Sequence, residues 1–322
     1  MPPVDRTNPV RAKSSDSRVS FMEFIREYPD DAACLEFLWR TRYSEDGEHA
    51  TCPRCEQVRS FKRYETAQQR QSWTCTACGH HIHPTAGTIF HKSSTSLHLW
   101  FYAIYLMSST RCGISAKQLE REIGVNYKTA HRMLRLIRTE LMAQDEAPLS
   151  GDVEADETLH GGKMRNADRR KREALGWDRK RYDNERKKTM VFGAVERGGR
   201  VRAGVIRDSS AQTLHNAVQT YVLPESMLFT DEWAGYNAIG KKMKGHKRIR
   251  HADRIYVEGD VHTQTIEGFW ALVKNGIRGS YHSVSRKHLP TYLNEYVWRY
   301  NHRDDDAAQF RSLLRNAASQ TN

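Results

Sequence analysis

GDVEADETLH (151–160) is the stretch that decides the fold. Asp152, Glu154 and Asp156 alternate with Val153 and Ala155, which is the two-residue period of a strand. Three carboxylates then share one face, an arrangement that is costly unless solvent or a cation relieves it. Asp156 lies nearest the end of the strand, beside Thr158 and Gly161-Gly162, where an open site can form.

Working outward, TMVFGAVER (189–197) and RVRAGVIRD (200–208) predict a hairpin around Gly198-Gly199. SSAQTLHNAVQTYV (209–222) reads as a helix and SMLFTDEW (226–233) as a second acid-bearing strand. HTQTIEGFWALVKNGI (262–277) and HLPTYLNEYVWRYNHR (288–303) read as helices. Strand, hairpin, helix, strand, helix is the element order of a ribonuclease H-like α/β domain, expected over residues 151–314. Asp231 follows the apolar run Met227-Leu228-Phe229, at the carboxyl end of its strand, the usual edge for sites in open α/β sheets. Glu232 beside it is expected on the opposite face. Glu267 sits on the following helix, with Trp270 three residues on and Lys274 seven on, so all three are expected on one stripe. Two-metal phosphoryl transfer needs hard oxygen ligands on rigid elements that converge, holding two Mg2+ ions about 4 Å apart. Asp156, Asp231 and Glu267 are the candidate ligands for Mg2+, or Mn2+, and Lys274 is a candidate contact for a DNA phosphate.

The first half of the chain carries different chemistry. Residues 1–50 are expected to be frayed to about Ser20 and then helical, with Phe24, Ile25, Ala32, Cys34, Leu35, Leu38 and Trp39 at helical spacing. Cys52, Cys55, Cys75 and Cys78 form two C-x-x-C pairs in residues 51–92. Two such knuckles make a closed tetrahedral site, so a zinc ribbon with a structural Zn2+ is expected. His80, His81 and His83 follow and are read as polar surface or DNA-backbone contacts, because four sulfurs already fill the site. Cys34 and Cys112 are expected to be buried thiols.

Residues 93–145 predict a helix-turn-helix. LHLWFYAIYLMSS (97–109) is apolar almost all round and so expected to be buried. Ser115 with Gln118 forms a capping pattern, and Gly124 stops the second helix. In the third helix, from about Asn126, Met133, Leu134, Ile137 and Leu141 are expected inside. Tyr127, Lys128, His131, Arg132, Arg135 and Arg138 are left outside. A basic outer face on the second helix of such a motif suits the major groove, although a solvated charged face would look the same. Residues 143–150, with Pro148, read as a linker.

The chain has 322 residues and a formal charge of +12, with 51 basic and 39 acidic side chains. That balance favours a polyanionic partner. No apolar run is long enough to span a membrane and the first twenty residues lack the apolar core of a signal peptide, so a reducing cytoplasm, associated with the nucleoid, is the expected location. A basic insert at 163–188 holds 12 basic and 5 acidic residues and reads as a DNA-contacting or solvated loop. A second basic run, KKMKGHKRIRH (241–251), could line the active-site groove.

Between Asp231 and Glu267 lie 35 residues, which resembles the D-D-35-E arrangement of transposases and retroviral integrases. VEADET (153–158), FTDEWAGY (229–236), HTQTIEGFWALVKNGIRGSYHSVSRKHL (262–289) and YVWRYNHR (296–303), with the CPRC and CTAC knuckles, resemble bacterial insertion-sequence transposases with an N-terminal zinc ribbon, the insertion sequence 1595 family. The resemblance implies double-stranded DNA as partner, both transposon ends and target, bound by a homo-oligomer. It implies cleavage that frees a 3′-OH, followed by direct strand transfer with no covalent protein intermediate. Tyr236, Tyr256 and Tyr281 are accordingly read as packing or DNA-contact residues. The rival reading is a DNA-binding regulator whose α/β domain is catalytically silent. A third is a nuclease that only hydrolyses.

Overall fold

The computed structural model describes residues 19–65, 71–110, 112–161, 170, 173–176, 188–237, 239, 242–249, 262–305 and 308–319. Most of the basic insert, Tyr256, and residues 241, 250 and 251 of the second basic run lie outside them. The chain forms two compact units, 1–141 with 304–322, and 142–303.

In the first unit, α1 (Phe21–Glu27) opens with a reciprocal cap between Ser20 and Glu23, and α2 (Asp31–Arg42) is capped by Asp30. Strands β1 (His49–Cys52), β2 (Gln57–Glu65), β3 (Gln71–Cys75) and β4 (His81–Ile82) make an antiparallel meander. Trp39 of α2 stacks on Trp73 of β3 with ring centroids 4.9 Å apart, a contact that adds about 0.5–1.5 kcal/mol beyond its buried area. Helix α3 (Leu97–Ser109) buries Trp100, Phe101, Ile104 and Met107 completely.

Helix α4 (Ala116–Ile123) is capped by the Ser115 hydroxyl and ends at Gly124 in the left-handed region, φ 69°, where only glycine sits without strain. Helix α5 (Tyr127–Leu136) is capped by Asn126. Met133, Leu134, Ile137 and Leu141 face inward as expected. Arg138 does not face outward: it is 3% exposed. It stands four residues after Leu134 and three before Leu141, both buried, so helical spacing puts it at the edge of the inward stripe; the helix widens to π-type bonding over Ile137–Leu141. Ile25, expected to pack, is 40% exposed, and Cys112, expected to be buried, lies exposed in the turn after α3.

The second unit is built on β5 (Asp152–His160), β6 (Thr189–Glu196), β7 (Val201–Ile206), β8 (Met227–Thr230) and β9 (Gly245–Arg248), in the order β7-β6-β5-β8-β9. β6 is antiparallel to both β5 and β7, whereas β8 runs parallel to β5 and to β9. Helix α6 (Ala211–Tyr221) covers one face, packing Leu214 and Val218 on Val153, Ala155, Phe192 and Ala194. Helices α7 (Gln264–Gly276) and α8 (Leu289–Asn301) cover the other, packing Ile266, Trp270, Leu293 and Tyr296 on Val191 and Val195.

Residues 143–150, expected to be a linker, are part of this unit. Gln144 exchanges two hydrogen bonds with the Ala203 backbone, and Leu149 bonds Tyr221 and Leu223 through its backbone. The last helix, α9 (Gln309–Ser319), belongs to the first unit, so the second ends at Arg303 rather than at the expected 314. Phe310 packs there against Phe24, Tyr28 and Tyr105.

Gly193 of β6 lies opposite Asp156, and a Cβ there would meet the Trp270 ring at 2.6 Å. Glycine lets α7 approach the sheet this closely. Gly193→Ala is therefore expected to destabilise the second unit by about 1–3 kcal/mol through overpacking. Urea denaturation checks this, and an unchanged midpoint would mean that the indole has room to move.

Candidate active site and metal centre

Strand register brings the two aspartates together. Glu154 pairs with Phe229 across the parallel β5–β8 ladder. Two residues further along each chain stand Asp156 and Asp231, level with one another and of equal parity, so they fall on the same face. Neighbouring strands lie about 4.8 Å apart. Asp231 is just past the last residue of β8, and its carboxylate accepts the Trp233 backbone N–H at 3.0 Å. The adjoining Glu232 is exposed.

Helix α7 crosses this face. Glu267 and Lys274 lie on its exposed side, while Trp270 is 3% exposed and turned into the core. The expected single stripe is thus corrected. The outer row runs through Glu267, Ala271 and Lys274, the i, i+4, i+7 positions, and the i+3 position falls to the sheet side. Thr263 donates its hydroxyl to Glu267 Oε1 at 3.0 Å.

The groups act on one another. Burial pushes the Asp156 carboxyl up to about 6, reinforced by the negative charges of Asp231 and Glu267. The Glu157 N–H and the Lys274 ammonium oppose the rise. A carboxylate raised by burial and by like charges is a group that a cation would relieve, and oxygen donors suit a hard one. The three carboxylates are less tightly gathered than the cysteines, the one set among the described residues whose ligand atoms all lie within 4.8 Å of one another.

Sequence reasoning missed two residues here. Glu154, grouped with Asp152 and Asp156 by parity, is completely buried and takes hydrogen bonds from Arg197 and from the start of α7. Glu157, on the opposite face from Asp156, accepts the hydroxyl of the fully buried Tyr236. Burial pushes Glu157 up to about 7 in spite of that bond. Tyr236 is therefore a packing residue and not a DNA contact. Tyr281 gives its hydroxyl to Glu295 at 2.9 Å.

The cysteines converge. Cys52 and Cys78 stand with sulfurs 3.6 Å apart, and four sulfurs bound to one tetrahedral ion would stand about 3.8 Å apart. The two knuckles are alike in backbone: Gly79 after the second has φ 72°, and Glu56 after the first has φ 55°. Burial would raise the Cys52 thiol, but the N–H groups of Cys55 and Arg54 and the neighbouring thiols outweigh it and lower it to about 7. Cys55 is pushed the other way, up to about 12, by its bonds to the neighbouring thiols and by burial, so one sulfur of the cluster takes the negative charge while its partner keeps the proton. The four cysteines can bind a metal. His80 is half-buried, while His81 and His83 are exposed, and His81 bonds the Thr74 hydroxyl at 2.8 Å.

On α5, Tyr127, Lys128, Arg132 and Arg135 are exposed and His131 is half-buried, with Lys117 over the Tyr127 ring at 5.3 Å. Among the described residues no helix is long and apolar enough to cross a membrane.

Residues 148–301 match the model of the ISXO2-like transposase domain. A protein of Halobacterium salinarum, described as an uncharacterized protein in transposable element ISH50, is 29% identical over 252 residues, covering 77% of this chain and 84% of its own. An uncharacterized transposase-like protein of Haemophilus influenzae is 26% identical over 97 residues, 30% of this chain and 77% of that one. The α/β unit is thus a transposase domain. These matches support placing this unit in the insertion sequence 1595 family of transposases.

Two outcomes follow from the electrostatics. Cys52→Ser is expected to lose the metal bound by the purified protein, read as metal content per chain; undiminished content would overturn the four-sulfur assignment. Asp156 holds its proton more tightly folded than unfolded, so the fold loses stability as pH rises from about 4 to about 6. Glu157 extends the same fall towards about 7. Without divalent cations, Asp156→Asn is expected to flatten the lower part of this slope in a series of melting temperatures against pH.

Proposed function

We propose that this protein binds the inverted repeats at transposon ends, cleaves the DNA to free a 3′-OH and joins that hydroxyl to target DNA. Carrying this reading is the arrangement of Asp156 and Asp231 side by side where the parallel pairing of β5 with β8 runs out, Asp156 within β5 and Asp231 just past β8, with Glu267 and Lys274 on the helix that crosses this face. Sheet order β7-β6-β5-β8-β9, with β6 antiparallel to its neighbours and β8 parallel to β5, supports a ribonuclease H-like domain.

Asp156, Asp231 and Glu267 would hold Mg2+, or Mn2+, which supplies charge neutralisation and a more acidic attacking hydroxyl when bound. Rigid placement of the two aspartates on paired strands orients the scissile phosphate for in-line attack. Exposed on the same row as Glu267, Lys274 would fix a non-bridging phosphate oxygen. In the first step water adds to phosphorus and the 3′ oxygen leaves as a hydroxyl. In the second that hydroxyl attacks a target phosphodiester and displaces another 3′ oxygen. No protein nucleophile is needed, consistent with Tyr236 and Tyr281 bonded to carboxylates.

Recognition would fall to the first unit. Helices α4 and α5, joined through Gly124, would act as a helix-turn-helix, with Tyr127, Lys128, His131, Arg132 and Arg135 towards the major groove. Cys52, Cys55, Cys75 and Cys78 would hold a structural Zn2+ beside it. We infer a homo-oligomer working on paired DNA ends, in the cytoplasm.

The test is Mg2+-dependent cleavage and joining of DNA carrying the flanking inverted repeats. Wild type is expected to give joined products. Asp156→Ala and Asp231→Ala are expected to abolish them while keeping DNA binding, and Glu267→Gln is expected to be inactive. Joining by Glu267→Gln would move the third ligand elsewhere. Hydrolysis without joining would indicate a nuclease, and binding without chemistry a regulator. Arg132→Ala is expected to weaken binding and to lower the salt slope by about 1 if it contacts one phosphate.

A further inference from the structure

Each of the three acids rides on a different element, β5, the end of β8, and α7, and one buried ion pair touches all three. Glu154 is completely buried, two residues before Asp156 and on the same face. Its Oε1 accepts from Arg197 Nε at 2.9 Å and from the Thr265 hydroxyl at 3.0 Å. Its Oε2 accepts the backbone N–H groups of Thr265 at 2.8 Å and Ile266 at 3.1 Å. His262 Nδ1 stands 3.1 Å from Oε1.

These amides belong to the first turn of α7, whose N–H groups have no partner within the helix. Thr263, in the capping position, gives no side-chain cap; its hydroxyl is committed to Glu267. The cap of α7 comes instead from the strand that carries Asp156. A negative charge there also meets the positive end of the helix dipole.

Arg197 completes the joint. Its side chain is mostly buried, and besides Glu154 it donates to the His262 carbonyl at 2.9 Å. The guanidinium lies over the Phe229 ring, 3.9 Å from the centroid, two residues before Asp231. Its own N–H bonds the Asp152 carbonyl at 2.9 Å. One carboxylate and one guanidinium thus bind β5, the lead into α7, and β8: Glu154 and Phe229 each stand two residues before an aspartate, and Thr265 and Ile266 lie within one turn of Glu267.

We propose that Glu154 and Arg197 are positioning residues that set the spacing of Asp156, Asp231 and Glu267, and with it the affinity of the acidic site for divalent metal. This rests on the proposed function, in that the three acids are taken as the ligands. Groups that orient metal ligands cost about 10–100-fold in metal affinity or activity when removed. Glu154→Gln keeps the shape and an acceptor for the helix N–H groups. It loses the charge and turns an amide donor against Arg197.

The experiment is a Mn2+ titration of the full chain by electron paramagnetic resonance, with the cysteine site zinc-loaded, below each variant's melting temperature. Beside it runs binding of inverted-repeat DNA. Glu154→Gln and Arg197→Gln are each expected to weaken Mn2+ binding at least tenfold and to raise the Mg2+ needed for half-maximal cleavage, with DNA binding kept. Combining the two lets paired amides bond again and is expected to recover part of the loss. Asp152→Ala, an exposed carboxylate on the same strand face, is expected to bind Mn2+ as wild type does. A merely structural pair would lower melting temperature while leaving Mn2+ affinity per folded chain unchanged, and that result overturns the proposal alone. Wild type binding no Mn2+, or Asp231→Ala binding it normally, overturns the assignment of the acids as ligands and the proposal with it.

Discussion

Parallel pairing of β5 with β8 is the constraint on which the rest of the acidic site depends. Glu154 opposite Phe229 fixes Asp156 beside Asp231, and a slip of one residue would send one aspartate to the far face. The pattern of side chains forbids that slip. Val153 and Leu228 are rung partners on the α6 face, both completely buried, and shifting either would expose a core residue and bury a charge. Hydrophobic burial at one face thus fixes electrostatics at the other. Burial first, and then the neighbouring charge of Asp231, raises the proton affinity of Asp156.

Most of the elements were legible because their periods are strong. Alternation in GDVEADETLH, the Gly198-Gly199 turn and the apolar run before Asp231 each led to the observed strand. The caps Ser115 and Asn126 and the stop at Gly124 fixed the helices they bound. Cysteine pairs are read easily because the ligand set is local within each knuckle.

What was not legible depended on phase and on contacts distant in sequence. Parity put Asp152, Glu154 and Asp156 on one face, but their fates differ: exposed, fully buried and half-buried. The difference comes from Arg197 and from the start of α7, 43 and 111 residues away for the side chains that bond Glu154. Arg138 was placed outside with the other basic side chains, although its spacing from Leu134 and Leu141 puts it beside the buried stripe. Trp270 was misplaced because a three-residue step falls to one side of the stripe and Gly193, far off in sequence, opens the room it fills. Nothing near Gln309 announces that the last helix packs on Phe24.

That last helix has a consequence for the order in which the chain can be completed. The second unit, 142–303, is continuous, while the first is assembled from 1–141 and 304–322. Phe310 inserts among Phe24, Tyr28 and Tyr105, and Asn316 bonds the Leu141 carbonyl at 3.0 Å. As the ribosome delivers the chain, the α/β unit has all its strands and helices before the first unit receives its closing piece. A polypeptide halted after Arg303 would hold the whole acidic constellation yet leave an aromatic cleft open in the other unit. Synthesis therefore finishes the unit that carries the three acids before the unit that carries the basic helix.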